Sequence, residues 1–212
     1  MFLAAEAEPF IKIGGLADVA GSLPRALRAL PVRATNGAKL DVRLVLPMHR
    51  SIRVEAKDLR TVAEFSIYRR GGALPVQVFE YFQDGVPVYF VSGEPITSAP
   101  TVYSNNPEAD RDKYTFFSLA ALQMVCCLDW QPDIIHANDW HTAMSLYALH
   151  SHRSDPRFSR IHTLLTLHNL PYMGNDGQDV LSAYGLMPLE DDSMPAWARC
   201  QALPLGLWAA DV

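Results

Sequence analysis

Three short stretches of this chain place charged and polar residues where chemistry could be done. The first is Lys12-Ile13-Gly14-Gly15. It follows an apolar run at residues 1–5 and precedes a helical stripe of Leu16, Val19, Ala20, Leu23, Leu27 and Leu30. A lysine and two glycines between a strand and a helix can receive an anion. Glycine lets backbone N–H groups come close and adopts φ > 0 without cost, and the helix N-terminus adds partial positive charge. The same residues also suit an ordinary strand-to-helix turn. The stretch is not a dinucleotide fingerprint, because Gly14, Gly15 and Gly21 lack the G-x-G-x-x-G spacing. Nor is it a Walker loop, since the lysine precedes the glycines.

The second stretch, residues 133–143, reads Asp-Ile-Ile-His-Ala-Asn-Asp-Trp-His-Thr-Ala. A buried strand ends near His136, and either Asn138 or Asp139 can cap the following helix. His136 and His141 straddle that break, a poor spacing for two metal ligands on one helix face. Trp140 reads as core, and the Asp139 carboxylate can accept hydrogen bonds from hydroxyl groups. The third stretch, residues 163–174, alternates until His168, which places that histidine at the carboxyl end of a strand. A lone histidine there can be structural or catalytic. Tyr103 lies in a loop rich in Pro, Ser, Thr and Asn.

The elements that must position these residues alternate. Residues 41–47, 134–137 and 164–168 read as buried strands and 61–68 as an alternating one. Residues 74–82 and 86–91 flank Gln83-Asp84-Gly85 and read as a hairpin. Residues 111–129, 140–152, 178–184 and 200–209 read as helices. Alternation of this kind implies βαβ units and a mostly parallel sheet. Ligands of such sheets bind beyond the carboxyl ends of the strands, where all three stretches fall.

The 212 residues suffice for one or two domains with a core, and one doubly wound domain is the economical reading. A net charge of -5 without any basic run argues against a nucleic-acid surface. No apolar run is long enough for a membrane span, and no secretory signal is legible. Cys126, Cys127 and Cys200 are odd in number, two of them adjacent, so buried thiols in a reducing cytosol are expected rather than disulfides.

In order, these stretches resemble the Lys-x-Gly-Gly-Leu-Ala-Asp-Val, His-x-x-Asp-Trp-His and Thr-x-His-Asn-x-x-Tyr-x-Gly signatures of bacterial glycogen synthases and plant starch synthases, glycosyltransferase family 5. Tyr103, followed by residues 110–118, is similar to a fourth segment of that family. The resemblance implies an α/β fold: a Rossmann-like, doubly wound, mostly parallel sheet with a β-hairpin extension. Residues 1–212 would be the amino-terminal half of a GT-B fold, with the carboxyl-terminal donor-binding domain absent. The final Ala209-Ala210-Asp211-Val212 resembles a helix leading into the last strand of that half, so the chain is expected to stop within an element.

The implied activity is retaining transfer of glucose from ADP-glucose to the non-reducing end of an α-1,4-glucan, inactive in this fragment alone. Lys12, Gly14 and Gly15 would meet the donor diphosphate. His168 and Asp139 would carry the catalytic positioning of sugar hydroxyls, with Asn169 and Tyr103 binding substrate. No cofactor, metal, nucleic acid or membrane is implied, and the setting would be cytoplasmic, or plastidial in a plant. Alternatives are a transferase using another nucleotide sugar, such as UDP-glucose, and a non-catalytic module that binds glucan or nucleotide sugar.

Overall fold

The structure, a computed structural model, describes residues 1–174 and 177–212. Seven strands form one sheet: β1 (Phe2–Leu3), β2 (Leu44–Pro47), β3 (Arg60–Arg69), β4 (Gly72–Gln83), β5 (Val86–Ser92), β6 (Ile134–Asn138) and β7 (His162–Thr166). Their order is β3-β4-β5-β2-β1-β6-β7. The five strands from β5 to β7 run parallel, and β3 and β4 extend them antiparallel.

Short apolar strands in the middle of such a sheet bury both faces, which is why they read as continuous apolar runs rather than alternating ones. Phe2, Leu44, Leu46, Val88 and Phe90 face one side. Leu3, Val45, Tyr89, Val91, Ile135 and Ala137 face the other. On the first face lies helix α1 (Leu16–Arg28), which contributes Ala20. On the second lie α3 (Pro107–Met124), α4 (Trp140–Ser151) and α6 (Ala202–Ala209), with α4 packed between the other two. Two short helices, α2 (Glu94–Thr97) and α5 (Gln178–Ala183), complete the set. The sheet is wound on both faces, as expected.

Two boundaries differ from expectation, while the expected hairpin is present. The helical stripe does not run to Leu30: α1 ends at Arg28, Leu30 is exposed, and the buried positions are Leu16, Ala17, Ala20 and Pro24. Helix α3 begins at Pro107, not Arg111, because the Asn106 side chain accepts the Glu108 and Ala109 N–H groups at 3.1 and 3.3 Å. That is an N-cap bond, which satisfies donors the helix itself leaves free. The hairpin is part of a three-stranded meander. Asp84 and Gly85, at φ 50° and 78°, join β4 to β5 as a two-residue turn, while Arg70-Gly71 joins β3 to β4. Two central residues with φ > 0 match the right-handed twist of the flanking strands. The outer edge of β7 is paired by Val212, whose N–H donates to Thr163 O at 3.2 Å and whose C=O accepts Leu165 N at 2.9 Å.

Candidate active site

The loops that follow β1, β5, β6 and β7 gather at the carboxyl end of the sheet, and they carry all the candidate residues. Lys12, Gly14, Gly15, His168 and Asn169 are exposed there, Tyr103 is half-buried, and Asp139 is buried.

The β6–α4 junction holds the tightest geometry. Asp139 has φ 57° and ψ −177°, a region that costs a non-glycine residue about 1–3 kcal/mol. Bonds on every side hold it there. Its N–H donates to Thr166 O at 2.9 Å, and its Oδ1 accepts the N–H groups of His168 at 2.7 Å and Asn169 at 3.2 Å. The side chain therefore does not cap α4, contrary to one sequence expectation; the Thr142 hydroxyl accepts Asn138 N instead. Oδ1 is engaged by the next loop, while Oδ2 takes no hydrogen bond among the described residues.

Asn138 was expected only as a possible cap. It is fully buried, donates through Nδ2 to Leu3 O at 2.9 Å, and so turns Oδ1 toward His168 Nε2, 2.9 Å away. An oxygen acceptor there puts the imidazole proton on Nε2, which leaves the Nδ1 lone pair of an exposed ring for a ligand hydroxyl. The other two histidines of the region point elsewhere. His136 meets Thr166 Oγ1 and the edge of Phe2, and His141 lies among Tyr103, Tyr114 and Trp140.

The loop after β1 differs from the simplest expectation. Gly14 and Gly15 do not adopt φ > 0, so backbone strain is not why glycine stands there. A Cβ on Gly15 would meet nothing within 4 Å, so the space above it is open for a ligand. The Gly14 N–H is already engaged: Glu6 accepts it at 3.0 Å and also accepts the Ile13 N–H. Lys12 Nζ contacts Glu8 at 3.0 Å and Asp18 at 2.6 Å, and these carboxylates raise its pKa, Asp18 most. Tyr103 donates its hydroxyl to Glu6 at 2.9 Å, and burial with that negative neighbour raises its pKa far above the usual phenol value. The structure thus brings together Asp139, His168 and Asn169 directly, and Gly14 with Tyr103 through Glu6. Among the described residues no hydrogen bond or ion pair joins Lys12 or Gly15 to the other candidates.

Sequence reasoning assigned no role to Glu6 or to Lys113. Lys113, fully buried, donates to Thr101 O, Val102 O and Asp110, and so fixes the Tyr103 loop on α3. A charged residue directly after an apolar strand was the available signal for Glu6. Lys113 had none, since a lysine inside a helix reads as exposed.

This α/β arrangement, a seven-stranded and mostly parallel sheet with its loops gathered over one end, matches the fold of a GT-B starch synthase catalytic domain. The whole chain superposes with a TM-score of 0.80 and 23% identity on 43% of the catalytic domain of starch synthase IV from Arabidopsis thaliana, a structure solved bound to ADP and acarbose. The family model described as the starch synthase catalytic domain matches residues 1–212, and the chain belongs to that family. Glycogen synthase of Finegoldia magna is 37% identical over 191 residues, covering 89% of this chain and 38% of that protein. Glycogen synthase of Desulforudis audaxviator is 37% identical over 224 aligned residues, covering 100% of this chain and 43% of that protein. The chain therefore spans about two fifths of the length of these curated relatives. Among the described residues no helix is long and apolar enough to cross a membrane.

Proposed function

We propose that this chain is the amino-terminal half of an ADP-glucose-type glycogen or starch synthase, acting in the cytoplasm. In this reading the complete protein transfers glucose to the non-reducing end of an α-1,4-glucan with retention of configuration. The observation that carries it is the meeting of the Lys12–Gly15, Asp139 and His168 loops over the open carboxyl end of one sheet. The α1 N-terminus behind Gly15, with Lys12 beside it, suits the charge that develops on a leaving diphosphate. His168 Nδ1 and Asp139 Oδ2 take no hydrogen bond among the described residues, and as acceptors suit the hydroxyls of the transferred glucosyl group. Asn169 and Tyr103 border the same space.

The second half of the protein would close over this face. An open face leaves a charged donor in water, where electrostatic stabilisation is weak, and closure that excludes water is needed for efficient transfer. These 212 residues alone are accordingly expected to release ADP from ADP-glucose and glycogen far more slowly than the two-domain protein. Following ADP release from both proteins tests this. Comparable turnover by the two would refute the division into halves.

Lys12→Ala, made in the two-domain protein, is expected to lower kcat/KM for ADP-glucose on the order of tenfold or more, since a charge-assisted contact to phosphate is removed. The exposed Lys12 contributes little to folding, so the melting temperature should move by no more than a degree or two. Unchanged kcat/KM with the donor varied would remove Lys12 from the site.

A further inference from the structure

Glu6 lies three residues beyond the end of β1 and is 1% exposed. Its carboxylate accepts the N–H of Ile13, the N–H of Gly14 at 3.0 Å and the hydroxyl of Tyr103 at 2.9 Å. Among the described residues no cation reaches it, because Lys12 is turned to Glu8 and Asp18. A buried carboxylate is costly unless well-aimed donors offset its lost hydration. Here the offset comes from neutral donors on two loops, so those loops are held at fixed positions around it.

The Tyr103 side of this arrangement is itself anchored. Lys113 Nζ donates to Thr101 O at 3.2 Å and to Val102 O at 2.6 Å. The Tyr114 hydroxyl also donates to Val102 O at 2.6 Å, and Ser104 N donates to Asp110 Oδ2 at 2.7 Å. The residues on both sides of Tyr103 are thereby fixed to α3. Through Glu6, the loop at residues 12–15 is tied to the same helix.

We propose that Glu6 is a positioning residue of the transferase: locked to Tyr103, it occupies the Ile13 and Gly14 amides and so directs the donor diphosphate to the next amide, Gly15. This rests on the functional reading above. Two like charges would meet if phosphate approached Gly14, and their repulsion is strong in a site removed from water. Among the described residues no group accepts the Gly15 N–H, and a Cβ at Gly15 would meet nothing within 4 Å. Glu6 thus sets, to one residue, where the donor sits along the loop. It also accepts the Tyr103 hydroxyl's hydrogen bond, so that Tyr103 offers a ligand only acceptor lone pairs.

Kinetics in the two-domain protein, with Glu6→Ala, Tyr103→Phe and the double variant, test the proposal. Glu6→Ala is expected to raise the KM for ADP-glucose about tenfold, and Tyr103→Phe several-fold, with the KM for glucan unchanged. The double variant should be no worse than Glu6→Ala, since both changes break one arrangement. Added acetate should restore part of the donor affinity of Glu6→Ala, because the vacated space is lined by N–H donors. Additive effects, an equal rise in the glucan KM, or failure of acetate to rescue would overturn the assignment.

Glu6→Gln, which keeps the side-chain volume, covers the case where alanine prevents folding. It should retain a cooperative melt while the Ile13 and Gly14 amides exchange hydrogen several-fold faster. If the parent protein turns over no ADP-glucose, the functional reading fails. The lock is then decided by exchange alone: unchanged protection at Ile13 and Gly14 in Glu6→Gln and Tyr103→Phe overturns it.

Discussion

Asp139→Ala is expected to destabilise the fold by about 3 kcal/mol, the scale of losing two backbone N–H bonds to a buried carboxylate. Oδ1 of Asp139 receives the amides of His168 and Asn169, and neither has another acceptor among the described residues. The same substitution should cut turnover of the two-domain protein by about two orders of magnitude. It removes the unengaged oxygen and releases the loop that carries His168, and small misplacements in an active site have effects of that size.

A companion variant separates the side chain from the backbone. Asp139 holds φ 57°, so glycine at this position relieves strain that alanine keeps. Asp139→Gly should therefore be about 1 kcal/mol more stable than Asp139→Ala, although it has lost the same two bonds. Urea unfolding of the three proteins gives both differences. An alanine variant as stable as the parent, or more stable than the glycine variant, would show that the junction is not built as described.

Acidification below pH 6.5 should destabilise the protein steeply. Burial is the main cause holding His49 and His136 at pKa values of about 4 and His141 at about 3, all from an ordinary 6.5. Lys113 adds to the effect at His49 and His141. The Ala5 carbonyl, 2.9 Å from His49 Nε2, opposes the shift there without overcoming burial, and His141 Nδ1 is buried without a hydrogen-bond partner among the described residues. These groups are neutral when folded and take up protons readily when unfolded. Their stabilising contribution is complete above pH 6.5 and is lost as the pH falls from there toward 4.

Up to three extra protons on the unfolded chain set a limiting slope of roughly 4 kcal/mol per pH unit near pH 5. Urea midpoints measured from pH 7.5 down to 4.5 would show it. His141→Phe keeps the stacking among Tyr103, Tyr114 and Trp140 and should flatten the slope by about one proton. A level profile between pH 6.5 and 5 would contradict the buried neutral histidines.

The amino-acid sequence by itself determined the alternation of strands and helices, the Asp84-Gly85 turn and the places where ligand-facing loops must fall. Each of these depends on local rules. An apolar run long enough for one strand, a periodic stripe, or a residue that tolerates φ > 0 acts within a few positions of itself. The three motifs were legible for the same reason, because each is a contiguous strand end and the turn after it.

Only the tertiary structure decided how those turns are held. Glu6 and Tyr103 are 97 positions apart, Asp139 and His168 are 29 apart, and Asn138 and Leu3 are 135 apart. Each pair meets because β1, β5, β6 and β7 end on one side of the sheet, an outcome of strand order. The α1 stripe failed at Leu30 because burial depends on where the helix stops and what lies over it. Gly14 was expected to offer its amide to a ligand, yet an internal carboxylate takes it. Periodicity records which face of an element is apolar. It carries no record of which distant donor and acceptor will meet, since that depends on how the whole sheet is ordered and packed.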